Sequence, residues 1–155
     1  MITVTENASR QILQLIQQQH TQAAGLRVGV KAGGADDWSL AGVLARDVTV
    51  GAPPDMFNQQ GQNWTQPPWH PGRLAESGYA AYRDMLRTVL RHAGGIRVDH
   101  ILGLFRLWWV PQGFPAYAGT FVRFDYDAML SILMLEAHRA GAIVVGEDLG
   151  TVEPW

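Results

Sequence analysis

Two short β-branched runs, "GIRVDH" at 95–100 and "AIVVGEDLG" at 142–150, set most of what this chain can fold into. Each follows a glycine and each ends in an acid, Asp99 in the first and Glu147 in the second. Between them a helix is predicted to start at Asp125 or Asp127 and to stop at Gly141. Its apolar stripe is Leu130, Leu133, Met134 and Ala137. A strand (Ile96–Asp99), a helix and a second strand (Ala142–Val145) in that order require a crossover, which makes the two strands parallel. The same alternation stands upstream. Leu26–Val30 reads as a strand. Residues 74–92 read as a helix with Tyr82, Met85, Leu86, Val89 and Leu90 at helical spacing, ended by Gly94-Gly95. Residues 5–24 read as a further helix, capped by Asn7 or Ser9 and apolar at Ile12, Leu13, Leu15 and Ile16. The expected class is α/β, a parallel sheet with helices over it, in a single domain over residues 1–155.

Residues 31–73 break this rhythm and read as mostly irregular. The part from 51 to 73 carries Pro53, Pro54, Pro67, Pro68 and Pro71, which exclude helix interiors and central strands there. Phe57, Trp64 and Trp69 lie in the same stretch, and disordered loops seldom carry such residues. A long loop inside a compact domain is usually functional, so 51–73 is expected to be ordered.

Composition removes several classes. The net charge of -2 offers no basic patch for nucleic acid. The absence of cysteine excludes disulfides and thiolate metal sites. The first ten residues lack the basic start and apolar core of a secretion signal. The longest apolar stretch, Ile101 to Val110, is interrupted by Arg106 and is too short to cross a bilayer. The expectation is a soluble cytoplasmic protein with no membrane and no nucleic-acid partner. Its six tryptophans fit a core as well as a sugar-binding surface.

The strand at 96–99 then poses a question, because Arg97 and Asp99 are polar on an otherwise buried-looking run. Side chains alternate along a strand, so Arg97 and Asp99 share one face and Ile96 and Val98 the other. Glu147 shares its face with Ile143 and Val145. Sites of parallel α/β folds lie at the carboxyl ends of strands, where Asp99 and Glu147 are. Two convergent carboxylates suit glycosidic bond chemistry, with one ionised and the other donating a proton. Arg97 would keep Asp99 ionised, and a Glu in a drier position would have a raised pKa. Read singly, each acid could equally cap a helix or pair with an arginine, and His100 alone reads as a hydrogen-bonded structural residue.

Four segments resemble the amylomaltases, bacterial 4-alpha-glucanotransferases of the alpha-amylase clan. They are "GAPPDMFNQQGQNWTQPPW", "HAGGIRVDHILGLFRLWWVP", "GTFVRFDYDAMLSILMLEAHRAGAIVVGEDLGTVEP" and, more weakly, "GGADDW". The resemblance implies a retaining mechanism on a (β/α)8 barrel, of which this chain would supply about three strands and their helices. Residues 51–73 would be the lid over the acceptor side. By the same resemblance Asp99 would be the nucleophile and Glu147 the general acid/base. Arg97 and His100 would support them, and Asp55, Phe57, Gln62, Trp64 and Asp148 would contact glucan. No cofactor or metal would be needed, and the partners would be α-1,4-glucans and maltooligosaccharides. The family usually has an aromatic where this chain has Met56, and often glycine at Thr65. Its third catalytic carboxylate, an Asp following a His, has no counterpart here, so the chain reads as a fragment. An open sheet of few strands would leave bare edges, which favours self-association. Two alternatives stand beside the transferase: an inactive remnant with weak glucan binding, and an α-glucan hydrolase of the same clan.

Overall fold

The computed structural model describes residues 38–150, so the predicted helix at 5–24 and the predicted strand Leu26–Val30 lie outside the described residues. In chain order the elements are β1 (Val48–Ala52), β2 (Gln62–Asn63), α1 (Pro71–Glu76), α2 (Ala80–Leu90), β3 (Gly95–Val98), β4 (Arg106–Pro111), β5 (Thr120–Arg123), α3 (Tyr126–Ala140) and β6 (Ile143–Gly146). A 3-10 turn, Ile101–Leu104, joins β3 to β4. Among the described residues no helix is long and apolar enough to cross a membrane.

The expected parallel pair is present. β3 and β6 run parallel in the register Gly95↔Ile143 to Val98↔Gly146, with α3 as the crossover. Asp125 starts α3 by accepting the Ala128 N–H at 3.1 Å, and Asp127 adds a negative charge to the first turn. Gly141, at φ 64°, ends it. The Ala142 N–H then donates back to Ala137 O at 3.0 Å, the bond that closes a helix end of this kind.

The core lies between this pair of strands and the helices. Leu74, Tyr82, Leu86 and Leu90 meet Met129, Leu133 and Ala137, and Ile96, Val98 and Val144 pack against them from the strands. The buried stripe of α3 is rotated from the expected one. Met129 and Glu136 are inside and Met134 is exposed. Glu136, only 4% exposed, is a charge placed in the core edge because two arginines meet it there. Arg87 on α2 donates Nε to Oε2 and Nη2 to Oε1, both at 2.9 Å, and Arg139 Nη1 donates to Oε1 at 2.9 Å. Those bonds tie α2 to α3 and hold the Glu136 carboxyl below the usual carboxylate range, with the Arg87 hydrogen bond the largest cause.

Two findings differ from the sequence expectation. The predicted single helix at 74–92 is two helices. Ser77-Gly78-Tyr79 breaks it, with Gly78 and Tyr79 at φ 61° and 58° and the Tyr79 N–H returning to Leu74 O at 2.8 Å. Glycine is at home at such an angle, whereas tyrosine there is strained by about 1–2 kcal/mol. More importantly, the sheet is not all parallel. β2, β1, β4 and β5 form a separate antiparallel sheet in that order. Its centre pairs Val48↔Pro111 through Gly51↔Trp108, and β4 pairs with β5 through Arg106↔Arg123 and Trp108↔Phe121. The proline-rich stretch joins this sheet at Gly51↔Asn63 and Ala52↔Gln62. Gly51 is required for that approach, since a Cβ there would sit 2.0 Å from the Gln62 carbonyl oxygen.

Candidate functional site

The last paired residues of the parallel ladder are Val98 and Gly146, so Asp99 and Glu147 leave it side by side. The Glu147 N–H donates to Val98 O at 2.9 Å and the Ile101 N–H donates to Glu147 O at 2.8 Å, which carries the ladder one step past the strands. Adjacent strands stand about 4.8 Å apart. Ile96, Val98 and Val144 point to the helices, so Arg97, Asp99, Val145 and Glu147 share the opposite face. That face is open: Ile143 is 71% and Val145 57% exposed.

Arg97 Nη1 donates to Asp99 Oδ1 at 2.9 Å, the pairing expected from their two-residue spacing. Glu147 differs from expectation. Its Oε2 accepts the His100 N–H at 2.9 Å and its Oε1 accepts the Leu149 N–H at 2.7 Å. The His100 bond first and the Leu149 bond second hold its carboxyl below the usual carboxylate range. The charge of Arg97 adds to this and that of Asp99 opposes it. The expected raised pKa is therefore not found: desolvation does push the carboxyl up, but two backbone donors that stabilise the ionised form outweigh it.

His100 turns the chain out of β3 at φ 52°, ψ 60°, a left-handed conformation uncommon outside glycine and asparagine. Its ring meets Trp64 edge-on, with centroids 5.5 Å apart and planes at 84°. The proline-rich stretch is thus in contact with the residue after Asp99. The two border a cleft of about 280 Å³ that runs from Pro53-Pro54 and Asp55 past Gln62 and Trp64 to His100 and on to Leu149-Gly150. Asp55 Oδ1 accepts the Phe57 and Asn58 N–H groups at 2.8 and 2.6 Å, and Gln62 Oε1 accepts the Trp64 indole N–H at 3.0 Å. Thr65 carries φ 61°, a left-handed angle that glycine adopts more readily than threonine.

Asp55, Gln62, Trp64 and His100 come together around this cleft. Arg97, Asp99 and Glu147 cluster at the adjoining strand ends. Phe57, 92% exposed, and Asp148, also exposed, line neither. The sequence reading missed Arg106, Trp108 and Phe121, which line the same cleft from β4 and β5. The alternation in "RLWWVP" was the available signal, with Arg106 and Trp108 on one face.

A family model described as 4-alpha-glucanotransferase matches residues 4–155. The 4-alpha-glucanotransferase of Mycobacterium tuberculosis is 64% identical over 132 residues, covering 85% of this chain and 18% of that protein. That of Haemophilus influenzae is 42% identical over 127 residues, covering 82% and 18%. The crystal structure of amylomaltase from Corynebacterium glutamicum superposes with a TM-score of 0.81 at 64% identity, over 85% of this chain and 19% of that one. Amylomaltase from Streptococcus agalactiae in complex with acarbose shares the fold at a TM-score of 0.72 and 18% identity, over 82% of this chain and 27% of that one. This chain thus spans about a fifth of the length of the curated relatives it matches. With a match over nearly its whole length, the chain belongs to the 4-alpha-glucanotransferase family.

Proposed function

We propose that the chain carries the donor half of a 4-alpha-glucanotransferase site. In this reading β3 and β6 are neighbouring strands of a (β/α)8 barrel, their open face is part of its interior, and residues 51–73 are a lid. The observation that carries it is the ladder that sets Asp99 beside Glu147, with Arg97 on Asp99 and a tryptophan-lined cleft adjoining. A strand spacing of about 4.8 Å is of the order that a retaining carboxylate pair needs, about 5–5.5 Å. The Asp99 carboxylate attacks the anomeric carbon of an α-1,4-glucan. The bond from that carbon to O4 breaks, and O4 takes a proton from Glu147. The 4-hydroxyl of a second glucan then gives its proton to Glu147, bonds to the anomeric carbon, and releases Asp99. Trp64 and His100 position the sugar rings. The exposed Ile143 and Val145 favour association of the isolated chain with another apolar surface.

Incubation of the chain with maltotriose tests this, with Asp99→Asn and Glu147→Gln beside it. Glucose and longer maltodextrins at a constant total of reducing ends are expected, lost in both variants. A rising total of reducing ends would indicate hydrolysis in place of transfer. A folded wild-type chain that makes no product would refute transfer by this chain.

A further inference from the structure

The His100 ring joins segments that are far apart in the chain. It meets the Trp64 ring edge-on, with centroids 5.5 Å apart. A Cβ built on Gly103 would stand 3.4 Å from His100 Cδ2, and one built on Gly150 would stand 3.7 Å from His100 Cε1, so both glycines face the ring. One side chain thus touches the proline-rich stretch, the turn after β3 and the turn after β6.

The turn after β6 has little else to hold it. Among the described residues no backbone-to-backbone bond reaches 148–150. Leu149 is exposed, and Gly150 at φ 125° has a conformation that suits glycine. Yet the Leu149 N–H donates to Glu147 Oε1 at 2.7 Å. Ordering an exposed segment costs conformational entropy, which a single bond between residues two apart offsets poorly. Support comes from beneath Gly150, where the built Cβ would meet only His100 Cε1 and Leu102 Cδ1, the latter at 3.9 Å. The second donor to Glu147 is the His100 N–H, on Oε2 at 2.9 Å, so His100 backbone and ring bear on both oxygens. The charged groups facing this carboxyl are Arg97, which favours its ionised form, and Asp99, which opposes it. Their effects oppose, so the N–H donors weigh most in its hold on a proton.

We infer that His100 is a positioning residue for Glu147: its ring, steadied by Trp64, backs Gly150 and so keeps the Leu149 N–H on Glu147 Oε1. This rests on the reading of Glu147 as the proton donor, and it makes the position of the 51–73 stretch felt at that carboxyl. Exchange of the Leu149 amide with water, followed by NMR in the whole chain without sugar, tests it in wild type, His100→Asn and Trp64→Ala. Asparagine tolerates the left-handed backbone and lacks the ring. The Ile101 N–H, which donates to Glu147 O at 2.8 Å, is the internal reference. The Leu149 amide is expected to exchange about tenfold faster in His100→Asn, the loss of a bond to a charged acceptor. It is also expected to exchange faster than wild type in Trp64→Ala, with Ile101 unchanged in both. A Leu149 amide as protected in either variant as in wild type would overturn the inference. So would equal acceleration at Leu149 and Ile101, which marks general loosening. No sugar is present, so this inference and the transfer reading fail separately. Transfer products from maltotriose with an unmoved Leu149 amide would leave Glu147 its role and remove that of the His100 ring.

Discussion

Gly119 supports the Trp108 wall, and replacing it by alanine separates packing from backbone effects. It sits at φ −78°, ψ −177°, an extended conformation that alanine also adopts. An alanine Cβ would lie 2.5 Å from both Trp108 Nε1 and Trp109 O, and 2.7 Å from Trp108 Cε2. The carbonyl cannot retreat, because Trp109 is paired on both sides, with Val50 and Thr120. The indole must move, and with it go its bond to Ala116 O and its contact with Phe121. Overpacking costs about 1–3 kcal/mol, the hydrogen bond about 1 kcal/mol and the ring contact about 0.5–1.5 kcal/mol. A stiffer unfolded chain returns about 0.4–1 kcal/mol. The net loss is roughly 3 kcal/mol, which for a chain of this size lowers Tm by roughly 6–12 °C. Two other glycines serve as controls in the same far-UV circular dichroism melts. At Gly42 a Cβ meets nothing within 4 Å and φ is not left-handed, so alanine should be neutral or slightly stabilising. At Gly141 a Cβ also meets nothing, but φ is 64°, so the cost of about 1–2 kcal/mol is conformational. A Gly119→Ala protein melting within a degree of Gly42→Ala would refute the steric account.

The Glu136 pairing predicts a pH signature. Its folded pKa is lowered, so the stability it adds is complete above the unfolded carboxylate value and is lost as pH falls through the folded one. Urea titrations should show wild type more stable than Glu136→Gln at pH 7, with the gap closing only below about pH 4. A gap independent of pH would make the loss one of packing, not charge. Glu147 should behave differently when glucan is present. Carbon-detected NMR should place its carboxyl below the usual range in the free chain and raise it on saturation with maltotriose. A value that stays low in the complex would remove Glu147 from the acid role.

The parallel pair was legible because its signals are local. Gly141 stops α3, Asp125 caps it, and the β-branched runs lie within one residue of their observed bounds, whereas α2 ends at Leu90, short of the glycine pair expected to stop it. The antiparallel sheet was not legible, because its pairings are long-range. Val48 meets Pro111 across the whole of α1, α2 and β3, and no periodicity in a short run such as "VTVGA" announces that partner. The break at Gly78 was hidden by an apolar stripe that continues in phase on both sides of it, from Leu74 to Tyr82, Leu86 and Leu90. At the candidate site, the shared face of Arg97, Asp99 and Glu147 was readable from strand alternation. Arg106 and Phe121 were not, since their meeting depends on the unforeseen pairing of β4 with β5.

At Glu147 the fold and the proposed reaction compete for the same two oxygens. The backbone N–H groups of His100 and Leu149 stabilise the carboxylate, whereas a proton donor must be neutral before it acts. One of those bonds has to be given up, and the two are not equally held. His100 N–H is fixed by its neighbours: Glu147 N–H donates to Val98 O, and Ile101 N–H donates back to Glu147 O. Leu149 is 77% exposed and precedes Gly150, whose φ of 125° is reached readily by glycine alone. The Leu149 bond is therefore the one that yields. Leu149 and Gly150 also line the cleft, so a glucan ring entering it would press on that segment while excluding water from the carboxyl. Loss of a donor and loss of solvent both raise a carboxyl pKa. The acid role proposed for Glu147 is thus one that substrate creates, and in the free chain the same side chain braces the turn after β6.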